Sequence, residues 1–319
     1  KMKMPLSKWK EEVIPAQLKP AWTNPTALYE EIITAVNDGF AEDVVDAAIH
    51  LKEIDEIKER AATTLGIVYL KCNRISDSEK VLNDYISENG KSAIILTNLA
   101  KVYEAKGENE KSLKALEDAL EVNPNDTAAV VWYGAYYQER EGLEGGRKAL
   151  ENLVSKYNSW AAKLLLARED LVNKNIRKVM KTYREILETE EPTGQMLAAM
   201  SGDLGSQGYI KEVIKILEPV YEVTKYPLQV GLNLLRAYYE DKNNRKGQKL
   251  IQELMAIPDP SLRDYLVHIA HEFDKMRTIK QFEGDKGDVR IDMISLDKPI
   301  WYYDLEEPDF LIKKKTKAE

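Results

Sequence analysis

At 319 residues the chain is longer than a single hydrophobic core usually serves, yet 31% of its side chains are charged, with 46 basic against 54 acidic groups and a formal charge of −8. The acidic balance argues against a nucleic-acid binder. The lone cysteine, Cys72, excludes an internal disulfide, and no apolar run approaches the roughly eighteen residues of a membrane-spanning helix.

Residues 1–24 carry Pro5, Pro15 and Pro20 together with Trp9 and Trp22. A short helix from Leu6 to Ile14 is expected after Pro5, and the remaining prolines predict extended chain. In this N-terminal lead the tryptophans are expected to pack on the helices that follow; the competing reading lays the segment in a groove.

From Pro25 onward one pattern recurs. Leu65-Gly66-x-x-Tyr69, Leu99-Ala100-x-x-Tyr103 and Tyr133-Gly134-x-x-Tyr137 are offset by 34 residues, and a fixed period of that length marks a chain built by stacking one supersecondary unit. The fullest copy runs from Ala93 to Asp126. Leu96, Leu99, Ala100 and Tyr103 share one helical face. Gly107 supplies a turn, Ser112, Leu116 and Ala119 mark a second helix, and Pro124 ends it.

This unit resembles the tetratricopeptide repeat. That family expects the small residues, aromatic, glycine and proline that stand here as Ala100, Ser112, Tyr103, Gly107 and Pro124. Units are predicted to begin near Pro25, Glu59, Ala93, Thr127, Trp160, Gly194 and Leu228. The first carries Gly39, Val44, Ala48 and Leu51, with Ile32 and Ala35 in place of the small and aromatic residues. The fourth is expected to lose register through an insertion around Gly142–Gly146, because Ala149 and Leu153 align best with the second helix. In the fifth, Lys163 and Asp170 stand where apolar residues belong. A capping helix is predicted from Leu262 to about Lys280.

After Lys280, Gly284 and Gly287 suggest a loop. Val289, Ile291 and Met293 alternate with charges at the period of a strand, and Ile300-Trp301-Tyr302-Tyr303 is a second β-prone run. The expected organisation is a lead over 1–24, an all-α, right-handed α-solenoid of about seven repeats over 25–280, and a loop with a short β-hairpin and a lysine-rich tail over 281–319.

Such an array implies a binding surface rather than a catalytic cleft. No phosphate loop, dinucleotide fingerprint or nucleophile elbow is present. The resemblance places the first helix of each unit on a concave face. On that face it puts Thr97, Lys101 and Glu104, then Val131, Ala135 and Gln138 with Trp132 beside them. Leu164, Arg168 and Leu171 follow, and then Gln229, Leu232, Arg236 and Tyr239. Lys101, Arg168 and Arg236 are candidates to meet acidic groups of a partner, and Trp132, Tyr136 and Tyr239 to supply contact area; Tyr133 and Tyr137 read as core. Some family members clamp a chaperone's free carboxylate. Asn98 matches one position of that clamp, but Ala128 and Trp132 replace the lysine and arginine it needs.

The expected function is therefore a non-enzymatic scaffold holding a protein or peptide segment, with no cofactor. One rival is a docking module of a larger, multidomain protein. Another is a metal-dependent enzyme built on His268, His271 and Glu272, whose order differs from the zinc-protease motifs. Self-association through Trp9, Trp22 or Trp301 is a further reading. The expected compartment is the cytoplasm, although a chain starting at Lys1 is compatible with a removed targeting segment.

Overall fold

The computed structural model describes residues 12–257, 262, 263 and 265–273, and all regular structure among them is helical. Two compact units divide between Ser159 and Trp160. The first holds α1 (Ile14–Ala21), α2 (Pro25–Asn37), a 3-10 turn (Ala41–Val44), α3 (Val45–Ile54), α4 (Lys58–Lys71), α5 (Ile75–Asn89), α6 (Ala93–Ala105), α7 (Asn109–Val122) and α8 (Thr127–Tyr157). The second holds α9 (Trp160–Val172), α10 (Ile176–Thr189), α11 (Gly194–Ser206), α12 (Ile210–Leu217), α13 (Leu228–Glu240) and α14 (Asn244–Leu254), followed by helical residues 262, 263 and 265–273.

The helices alternate as first and second members of antiparallel pairs, the α-solenoid architecture that the 34-residue period implies. The first helices begin where the repeat predicts, at Pro25, Lys58, Ala93, Thr127, Trp160, Gly194 and Leu228. Within the first unit α6 packs on its partner α7 and also on α4, α5 and α8. It is buried nearly all round, with Ala93, Val102 and every residue from Ile95 to Ala100 inside. In the second unit α11 packs on α9, α12 and α13, and residues Met196 to Gly205 are all buried.

The crossing within each pair is set by three positions. Gly66, Ala100 and Gly134 on the first helices precede Ser78, Ser112 and Gly146 on the second by 12 residues, and Leu82, Leu116 and Leu150 by 16. A Cβ at Gly66 would lie 2.9 Å from Leu82 Cδ2, and one at Gly134 would lie 3.2 Å from Leu150 Cδ2. Ser78 Oγ donates to the carbonyl of Gly66 at 2.7 Å. Small residues here let the helix axes approach while a leucine fills the space above them.

These spacings correct the predicted insertion in the fourth pair. Gly134, Gly146 and Leu150 keep the same intervals as in the two preceding pairs, so nothing is inserted between them. The helix instead runs one residue further before Gly142, at φ 78°, breaks it. The register slips only afterwards, because the pair from Thr127 to Trp160 is 33 residues long rather than 34.

The turn inside each pair has a common geometry. Gly39, Asn73, Gly107, Gly142, Lys174, Gly208 and Lys242 all adopt positive φ between 57° and 88°. In most pairs the next amide reaches back across the helix end, as Arg74 N does to Tyr69 O, Glu108 N to Tyr103 O and Asn175 N to Asp170 O, each at 2.8 Å. This left-handed closure satisfies carbonyls that the helix end leaves open.

The two charged residues of the fifth pair that replace apolar ones are accommodated by ion pairs. Lys163 Nζ lies 3.0 Å from Glu185 Oε1 on α10, and Lys178 Nζ lies 2.9 Å from the buried Asp170 carboxylate.

The N-terminal lead is not extended after residue 13. Pro15 sits in the first turn of α1, where its missing amide costs nothing, and Pro20 is also inside the helix. Trp22 stacks on His50 with ring centroids 4.4 Å apart and 7° between planes. Trp9, the remainder of the predicted capping helix beyond residue 273, the predicted hairpin with Trp301, and the lysine tail lie outside the described residues.

Candidate functional site

In the first unit the sequence-derived candidates gather on one face of α6 and α8. Lys101 Nζ lies 5.3 Å from the centre of the Trp132 ring. One turn along α8, the Arg140 guanidinium stands 3.5 Å over Tyr136, an i, i+4 arrangement that aligns a cation with an aromatic face. Tyr137 meets Tyr136 edge-on at 5.6 Å and Tyr133 edge-on at 5.1 Å. Tyr133 and Tyr137 are both half-buried, and Tyr133 packs against the buried cluster of Ala100, Ala115 and Leu116.

Glu104, Leu116, Trp132, Tyr136 and Glu139 line a shallow surface depression with no enclosed volume. Burial holds the Glu104 carboxyl above the ordinary carboxylate range; the charge of Glu139 raises it further, and that of Arg140 opposes both. Nearby, Asp126 caps α8 by accepting from Ala129 N at 2.8 Å. Its carboxyl is likewise raised by burial, against the Ala129 bond and the charge of Lys101.

Other expected groove positions are inside. Asn98 is buried, and its Nδ2 donates to the Ile94 carbonyl at 2.9 Å within its own helix. Thr97, Ala135, Leu164 and Leu171 are buried too, because successive first helices pack on each other and cover the edges of the face.

The candidates in the second unit form no comparable cluster. Arg168 Nε donates to Asp203 Oδ1 at 2.9 Å, and Arg236 Nε to Glu240 Oε1 at 2.6 Å. Both guanidinium groups thus meet carboxylates of this chain. Burial pushes the Asp203 carboxyl up to about 6, against the charge and hydrogen bond of Arg168. The same burial raises the Tyr183 hydroxyl. Tyr239 packs edge-on against Phe273 at 5.4 Å.

His268 and His271 are exposed on the helix over 265–273, with Glu272 half-buried. Among the described residues no group of three or more His, Cys, Asp or Glu side chains is placed to hold a metal ion, so the metal-enzyme reading gains no further ligands there. No helix among the described residues is long and apolar enough to cross a membrane.

Sequence reasoning missed Leu116, Glu139 and Arg140 as parts of the depression. Leu116 belongs to a second helix. Glu139 and Arg140 lie beyond the four positions that the repeat assigns to the face. The i, i+4 spacing of Tyr136 and Arg140 was the available signal.

No protein-family model matches the chain, and no curated protein matches it. Similar solved structures include a tetratricopeptide repeat protein from Parabacteroides merdae, at 13% identity and TM-score 0.36 over 78% of this chain and 98% of that one. MamA matches at 20% identity and TM-score 0.36 over 49% of this chain and 97% of its own. TTC0263, a thermophilic TPR protein of Thermus thermophilus, matches at 14% identity and TM-score 0.36 over 56% and 98% of the two chains.

Proposed function

We propose that the chain is a non-enzymatic interaction module of tetratricopeptide type, which holds a segment of a protein partner on the α6–α8 face of its first unit. The observation that carries this reading is the pair Trp132 and Tyr136, two large aromatic side chains half-exposed on adjoining turns beside the same depression. Rigid aromatic rings bury much contact area at little entropic cost, which is why they dominate the energetics of protein interfaces. Lys101 and Arg140 extend the face with cations, and Glu104 and Glu139 with carboxylates, a mixture suited to a polar rim.

Arg168 and Arg236 have a different role in this reading. They order the second unit through Asp203 and Glu240 rather than contact the partner. The test replaces Trp132 and Tyr136 with alanine and recovers the protein from its native source under mild conditions. Loss of co-purifying protein, with an unchanged circular dichroism spectrum, is expected. Partners retained in full by the double variant would remove this face from consideration.

A further inference from the structure

We infer that the chain binds a second copy of itself, the cationic outer face of α10 in one copy meeting the acidic outer face of α7 in the other. Neither face includes Trp132 or Tyr136, so this contact is independent of the proposed docking face.

The two helices are counterparts in the repeat. Each has 14 residues, and Glu110 and Arg177 each stand second in their helix. Seven residues further on, Glu117 corresponds to Arg184. Seven residues make nearly two turns, so the members of each pair share a face about 10 Å apart along the axis. Carboxylates on α7 and guanidinium groups on α10 are therefore presented at matched spacing.

Neither face is neutralised by its own chain. Glu110 and Glu121 are exposed and Glu117 is half-buried. No hydrogen bond or ion pair reaches their carboxylates among the described residues. The neighbouring Lys111 and Lys114 are engaged by Glu108 and Asp118, at 2.6 and 2.9 Å. On α10, Arg177, Lys181 and Arg184 are exposed, and they too make no ion pair among the described residues. The nearby carboxylates of Asp170 and Glu185 are held by Lys178 and Lys163. Glu188, one turn beyond Arg184, ends the cationic face.

Both arrangements are unfavourable in isolation. Arg177, Lys181 and Arg184 follow one another at i, i+4 and i+7, and Glu117 and Glu121 are four residues apart; like charges at such spacing weaken a helix. The first turn of α10 has no acidic residue, so Arg177 opposes the helix dipole. The last turn of α7 has no basic one, so Glu121 does the same. A face of opposite charge relieves both costs at once. A polyanion such as nucleic acid would satisfy α10 but leave the α7 carboxylates uncompensated. The formal charge of −8 opposes association at long range. In about 0.1 M salt that repulsion is screened beyond about 10 Å, while pairs in contact survive.

The test is sedimentation velocity of the whole chain over a wide range of concentrations in about 0.1 M salt. The average mass is expected to rise with concentration and to fall back in about 1 M salt. R177E/R184E and E110R/E117R, with unchanged circular dichroism, should each weaken association at least about tenfold. An equimolar mixture of the two, in which a reversed α10 meets a reversed α7, should restore it. K19E/K52E makes the same change in net charge at exposed sites of the first unit and should associate as the wild type does. A wild-type chain that stays monomeric at every concentration overturns the inference, as does association unchanged in both double variants. Loss in each variant without recovery in the mixture also refutes it, because pairing of these two faces would then not be the cause.

Discussion

Arg168 on α9 and Asp203 on α11 are joined across 35 residues by a 2.9 Å hydrogen bond, linking the first helices of two successive pairs. The Asp203 side chain is only 3% exposed, against 25% for Arg168. Its Oδ2 and the Tyr183 hydroxyl are buried without a hydrogen-bond partner among the described residues. The carboxylate is thus embedded where solvent cannot take the place of the arginine.

Removing Arg168 alone should therefore be severe. R168M leaves a buried carboxylate uncompensated, a change that typically costs about 3–5 kcal/mol, whereas replacing both members of such a pair with apolar residues is often far milder. Urea unfolding of R168M, D203L and R168M/D203L should place the double variant nearer the wild type than R168M. Strict additivity of the two single changes would show that the pair is not coupled.

Asp203 should also leave a signature in the pH dependence of stability. Its carboxyl is raised from an ordinary 3.8 to about 6 in the folded chain, so between those values the folded state binds more protons than the unfolded one. Stability conferred by this group is greatest near pH 4, declines as pH rises, and levels off above about 6. With about 1.4 kcal/mol for each pH unit separating the folded and unfolded values, the loss is on the order of 2–3 kcal/mol. Unfolding midpoints of wild type and D203N, compared from pH 4 to 7, should diverge in that direction. A difference that does not change with pH would mean Asp203 titrates as an exposed carboxyl does.

Close packing makes a sharper contrast between two glycines. A Cβ at Gly247 would lie 2.3 Å from Cε1 of Phe273, a ring that is fully buried and also held edge-on by Tyr239. A Cβ at Gly134 meets only the end of the half-buried Leu150, at 3.2 Å. Alanine gains about 1 kcal/mol of helix propensity over glycine at either site, while overpacking costs about 1–3 kcal/mol. G134A should be close to neutral in thermal unfolding, as the naturally occurring Ala100 at the equivalent position suggests. G247A should lower the midpoint clearly; an unchanged midpoint would mean the helix over 265–273 shifts freely away.

The period and the starts of the first helices are legible in the sequence because they rest on packing that only certain residues allow. Gly66, Ala100 and Gly134 must be small, and Leu82 and Leu116 must be large. The fourth pair misleads for a physical reason. Gly146 replaces the serine of its neighbours, so the apolar Ala149 and Leu153 outweigh it in the alignment. The helix at Ile14–Ala21 is hidden by prolines, since Pro15 falls where a helix tolerates it. Of the site, Lys101, Trp132 and Tyr136 can be named from their place in the repeat. Arg168 can be named too, but not its attachment to Asp203, because a position on a face does not say which neighbour a long side chain will choose.

The turns carry a prediction that follows from the same partial legibility. Glycine marks four of the seven pairs, at Gly39, Gly107, Gly142 and Gly208, but Asn73, Lys174 and Lys242 occupy the same left-handed position at φ 57°, 60° and 57°. Asparagine tolerates that region; lysine carries a steric penalty of roughly 1 kcal/mol there. The backbone of Lys174 nevertheless closes its helix end, its amide donating to Leu171 O at 2.9 Å, so the geometry is imposed by the pair and not by the residue. K174G and K242G should each therefore stabilise the chain by about 0.5–1 kcal/mol, seen as a rise in the urea midpoint at unchanged slope. The opposite result at both sites would mean that the lysine stems contribute packing worth more than the strain they impose.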